Sequence, residues 1–102
     1  MKKQLNKGQL VRVIDLTNKD FDLGINSVVL NDHQAFLDLL TTAVQNLIDS
    51  DFERFLNALY RIDVDEQKVK EAFAQESNVA KAIAELIIQR ELQKITTREK
   101  YW

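Results

Sequence analysis

The chain has no cysteine, no proline and only two glycines, Gly8 and Gly24. Without cysteine there are no disulfides and no thiolate metal sites. The absence of proline, and of glycine after Gly24, favours long uninterrupted helices beyond that point. Two isolated glycines cannot build a phosphate-cradling loop. There is one histidine, His33, and Leu30 stands where a Glu-x-x-His pair would need its glutamate, so a di-iron bundle site is excluded. No window approaches 18 continuous apolar residues, so no membrane span is expected. The opening MKKQLNKGQL is basic but is not followed by an apolar stretch. No secretory leader is therefore expected, and the cytoplasm is the default compartment.

What is present suits one globular domain. The 102 residues are 45% hydrophobic and 29% charged, enough apolar content for a single core and too much for a disordered chain. The net charge of −2 is unevenly distributed. Residues 1–19 carry five bases and one acid, residues 20–66 ten acids and two bases, and residues 67–102 seven bases and five acids. The acidic middle argues against wholesale nucleic-acid binding and suits docking to a basic partner or self-association of opposite ends, although a solvated surface is the simpler reading.

From residue 31 onward the apolar spacing is helical. Phe36, Leu37, Leu40, Val44, Leu47 and Ile48 line one face of a helix over 32–48, with Asn31 and Gln34 as a capping box. Phe52, Phe55, Leu56, Leu59 and Ile62 do the same over 51–62, with Ser50 and Glu53 as the box. Asp63 and Glu66 repeat the signature ahead of a helix over 64–75 that turns Val69, Ala72 and Phe73 inward. Ser77 or Asn78 caps a last helix over 79–98. The first 30 residues are ambiguous. LVRVIDL alternates as a strand does, but a helix from Asn6 to Thr17, opened by an Asn6–Gln9 box, places Leu10, Val13, Ile14 and Thr17 on one side and is preferred. Asn18 to Leu30 is then a loop anchored by Phe21, Leu23, Ile25 and Val28. The fold class expected is all-α, a compact bundle of four to five helices with short connections.

Six acids crowd into Asp49–Glu66. As helix caps and first-turn charges, Asp51, Glu53, Asp63, Asp65 and Glu66 have a structural role that needs no ligand. Calcium loops fail on spacing. After Asn18, Asp20 and Asp22 the sixth and twelfth positions hold Leu23 and Val29, and the runs from Asp49 and Asp63 fail in the same way. Of Ser27, Ser50 and Ser77 the last two read as caps, and His33 reads as an exposed first-turn residue, so no serine triad is indicated. A carboxylate pair alone could perform acid–base chemistry, but no spacing selects one. A helix-turn-helix made of 51–62 and 64–75 would bring Asp49, Asp51, Glu53 and Asp63 towards phosphates, which repels.

Near the C-terminus Arg90, Lys94 and Arg98 form a basic ridge, with Tyr101 and Trp102 following. This pattern can bind single-stranded nucleic acid, but cations at a helix C-terminus also complement its dipole, and Glu91 and Glu99 dilute the ridge. The same helix is apolar nearly all round over VAKAIAELII. Such a helix is either the central one of the bundle or packs on a second copy, so a homodimer through helix 79–98 is one option.

The stretch FERFLNALYRIDVDEQKVKEAF, with IAELIIQRELQKITTREKY after it, resembles a group of small bacterial all-helical proteins of no assigned function. The likeness covers Asp51–Tyr101 and rests on Leu59–Val64 and Ile87–Arg98. It implies a bacterial source and a helical fold, and brings no activity.

The sequence therefore reads as a non-catalytic adaptor or regulatory module acting through protein contacts, with no cofactor and no metal. The surface expected to carry those contacts comprises Asp49, Asp51, Glu53, Asp63 and Asp65 on the acidic side, Arg90, Lys94 and Arg98 on the basic side, and Tyr60 with Arg61 at the corner. For Tyr60 the alternative is half-packing on the core, and for Arg61 local pairing with Asp63 or Asp65. The rival functions are nucleic-acid binding through the basic ridge and an enzyme with a carboxylate pair in a dimer cleft.

Overall fold

The computed structural model describes residues 5–21 and 32–101. Five helices follow in order, α1 (Lys7–Phe21), α2 (His33–Ser50), α3 (Phe52–Ile62), α4 (Glu66–Phe73) and α5 (Val79–Tyr101). The all-α class holds, and no strand occurs among the described residues. The expected loop anchors Leu23, Ile25 and Val28, the Asn31 cap, and Asp22 and Gly24 of the calcium-like run lie outside the described residues.

The ambiguous N-terminal stretch is helical. Asn6 and Gln9 form the reciprocal box: the Gln9 N–H donates to Asn6 Oδ1 at 2.8 Å, and the Asn6 N–H donates to Gln9 Oε1 at 3.1 Å. The helix runs one turn further than expected. Asn18, Lys19, Asp20 and Phe21 are helical rather than loop, and Phe21 is buried. His33 is half-buried, not exposed, and its Nδ1 accepts from the Leu5 N–H at 3.3 Å.

α5 packs against each of the other four helices. Ile83, Ala84, Ile87 and Ile88 on α5 meet a core that includes Ile14, Phe36, Leu40, Phe55 and Ile62. α5 takes the central position, one of the two arrangements that its all-round apolar surface suits. Its neighbours within the chain cover it. α4 is shorter than the expected 64–75, and only Ala72 of the three residues assigned inward is fully buried. Val69 is half-buried and Phe73 is partly exposed.

Candidate functional site

The acid-rich corners are built from caps, but each cap is displaced from its expected residue. Ser50 does not open α3. It is the last residue of α2, and its hydroxyl donates back to the Asn46 carbonyl. Asp51 is the N-cap instead, its Oδ1 accepting from the Arg54 N–H at 3.1 Å, while its own N–H closes α2 on the Leu47 carbonyl at 2.8 Å. Asp32 caps α2 by accepting from the Ala35 N–H at 3.3 Å. Asp65, not Asp63, caps α4, its Oδ1 accepting from the N–H groups of Gln67 (2.8 Å) and Lys68 (3.3 Å). The carboxylate is preferred at such sites because it satisfies first-turn amides that have no helical partner.

Asp63 terminates α3. It adopts the left-handed conformation, with φ 66°. Its N–H reaches the Tyr60 carbonyl at 3.2 Å, and the Val64 N–H reaches the Leu59 carbonyl at 3.3 Å. This is a Schellman closure, usually made with glycine; aspartate is one of the few other residues that tolerate the geometry. Asp49 lies exposed in the last turn of α2, accepting from Gln45 Nε2 at 3.0 Å, and Glu53 is exposed in the first turn of α3. No cluster of three or more metal-ligating side chains forms among the described residues.

The basic ridge does not present three free cations. Arg90 donates through Nε to the Asp63 carbonyl (3.0 Å) and through Nη2 to Asp63 Oδ2 (3.2 Å), which ties α5 to the α3–α4 corner. Lys94 Nζ lies 3.3 Å from Glu91 Oε1. Arg98 is exposed. Arg61 does not pair with Asp63 or Asp65. Its Nη1 donates to the Asp20 carbonyl at 3.2 Å, and Arg54 Nη2 donates to the Phe21 carbonyl at 3.3 Å. Two guanidinium groups from α3 thus bind carbonyls in the last turn of α1, where cations offset the helix dipole. Beside them Asp20, Asp51, Glu53, Arg54, Asn57 and Arg61 line a polar surface cavity of about 510 Å³.

Behind Asp20 lies a feature that the sequence reading passed over. Glu91 is fully buried on α5, and neither of its oxygens has a well-aligned hydrogen-bond donor. Burial raises its pKa to about 7, the neighbouring Asp20 carboxyl adds to the rise, and Lys94 partly opposes it. Glu91 therefore keeps its proton up to about neutrality. The signal was in the spacing. Glu91 stands four residues after Ile87, three after Ile88 and four before Ile95, in the middle of a buried apolar stripe.

The other unexpected feature is apolar. Phe52, Leu56 and Tyr60 recur every four residues along the outer face of α3, 45%, 46% and 88% exposed. Phe52 stacks edge-on against Phe73 of α4 with ring centroids 6.1 Å apart, and both rings lean on the buried Phe55. Below them Leu56, Leu59, Tyr60, Val64 and Val69 line a groove of about 610 Å³ between α3 and α4. The charged residues lining it are Asp63, Asp65 and Glu66, all acidic. Tyr60 is therefore displayed, not half-packed. Of the ten residues expected to form one surface, the structure brings Tyr60, Asp63 and Asp65 together at this groove, with Arg90 against Asp63. Asp49, Asp51, Glu53, Arg61, Lys94 and Arg98 do not line it.

No helix among the described residues is long and apolar enough to cross a membrane. The chain matches no family model, no curated protein and no solved structure.

Proposed function

We propose that this protein is a non-catalytic binding module that works through the outer faces of α3 and α4. The observation that carries this reading is the exposed row Phe52, Leu56 and Tyr60, continuous with an apolar groove. Lone exposed apolar residues need no explanation, but a contiguous patch with a polar rim is characteristic of protein contact surfaces. A tyrosine standing clear of the surface, with only two side-chain torsions to order, suits an interface anchor. The basic ridge supports the nucleic-acid alternative less well, because Arg90 and Lys94 are engaged by Asp63 and Glu91.

The test is photo-crosslinking in living cells, with a photoreactive side chain placed at position 60 or, on the exposed flank of α5, at position 89. A discrete adduct from position 60 that position 89 does not give, and that disappears when Leu56→Asp is added, supports the module. Identical adducts from both positions, or none from position 60, remove the basis for it.

A further inference from the structure

We infer that the occupant of the α3–α4 groove is a basic amphipathic helix of a partner protein; this deepens the reading above and rests on it. The first argument is geometric. Phe52 and Tyr60 are eight residues apart on one helix face, about 12 Å along the axis at 1.5 Å per residue. That is two turns of apolar surface, and Leu56 and Tyr60 of this row share a groove with Leu59, Val64 and Val69. A docked helix presents anchors at i, i+3 or i+4, and i+7, with the same repeat, so two or three of its side chains meet the row at once.

The second argument is charge. Asp63, Asp65 and Glu66 stand on the rim of the apolar floor. Asp65 accepts from two amides of α4 and Asp63 pairs with Arg90, yet the Asp63 side chain remains 82% exposed, and Asp65 and Glu66 are exposed as well. Lysines or arginines flanking the apolar face of an incoming helix would find acids on arrival, which favours encounter and fixes orientation. A second copy of this chain is a poor occupant. A two-fold contact through the groove sets the same patch against itself, and here acids would face acids. Nucleic acid is repelled by the same rim.

The experiment uses the full chain and two synthetic helical peptides of about 18 residues, five turns each. Both carry leucine on one face; the other face is lysine in one and glutamate in the other. Fluorescence anisotropy should show the lysine peptide binding at least ~10-fold tighter, a difference of about 1.4 kcal/mol. Leu56→Asp with Tyr60→Asp should weaken it by a similar factor. Asp65→Asn with Glu66→Gln should weaken it several-fold and flatten its salt dependence, with asparagine keeping the cap. Asp38→Asn, on the exposed face of α2, should change nothing. Circular dichroism confirms that each variant is folded, and Tyr60→Ala repeats the test with a milder change at the most exposed residue. Equal binding of the two peptides, or equal weakening by Asp38→Asn, overturns the inference. If the lysine peptide does not bind while the adduct at position 60 persists, the groove's occupant is of another kind and the binding-module reading stands.

Discussion

α5 and α3 both carry more apolar surface than one helix face can hide, and the chain deals with the two differently. On α5 the excess is absorbed internally. The helix runs through the centre, and α1, α2, α3 and α4 surround it. On α3 one side is buried through Phe55, Ala58, Leu59 and Ile62, while Phe52, Leu56 and Tyr60 stay exposed on the other, Phe52 meeting the ring edge of Phe73 from α4. Apolar periodicity alone therefore does not separate a core helix from a displayed one. What separates them is whether the chain has other elements left to cover the second face. Among the described residues, the other helices surround α5 and leave much of the second face of α3 exposed.

Truncating one residue on each helix gives the most direct test of this difference. Ile87→Ala, at a fully buried position on α5, should cost about 3–4 kcal/mol in urea denaturation, a large share of the stability of a domain this size. Leu56→Ala should cost less than about 1 kcal/mol. Comparable losses at the two sites would mean that α3 is not a display helix.

The next largest effect is at Glu91, where α5 carries a charge within its apolar stripe. Its pKa is about 7 when folded, against 4.5 as the ordinary value. Between these values the folded chain binds more protons than the unfolded one, so stability falls as pH rises from about 4.5 to about 7. Glu91→Gln removes this dependence. It should stabilise the protein by about 1–3 kcal/mol at pH 8 and leave it nearly unchanged at pH 4. Thermal melts across this range check the prediction, and an identical pH profile for the two proteins would contradict a proton held on Glu91.

Smaller still is the capping contrast at the two corners. Asp65→Ala removes the acceptor for two amides and should cost about 1 kcal/mol, whereas Ser50→Ala should stay within about 0.5 kcal/mol, because Ser50 lies inside α2. Equal losses in chemical denaturation would restore Ser50 as a cap. Tyr60→Ala should have the smallest effect on stability, within about 0.5 kcal/mol, while removing the anchor of the proposed contact. A melting temperature several degrees lower would show that the ring packs on its own chain.

The helices were legible because their apolar spacing is regular and nothing in the sequence interrupts it. The corners were legible in kind but not in register. Ser50, Asp51, Asp63 and Asp65 are all competent caps, and which of them serves depends on where the preceding helix ends. At α3 that end is a left-handed aspartate that local propensity does not announce. Val69 and Phe73 were assigned inward because their spacing fits, but α4 is too short to turn both into the core. Glu91 was read as a diluting surface charge because charged residues are rarely fully buried, although its place among Ile87, Ile88 and Ile95 marked it as interior. The groove was not legible at all. It depends on the angle between α3 and α4, which the closed Asp63–Val64 turn and the packing of both helices on α5 set together.

Asp51 ends one helix and begins the next, so no slack separates α2 from α3. A hinge needs residues free to absorb dihedral change, and this joint offers a single residue whose amide and carboxylate are both already bonded. α3 cannot swing out without uncapping itself. An arriving partner thus meets a pre-set wall and has little ordering cost to overcome there. Extra residues spliced in after Ser50 would loosen that wall while leaving every side chain on it in place.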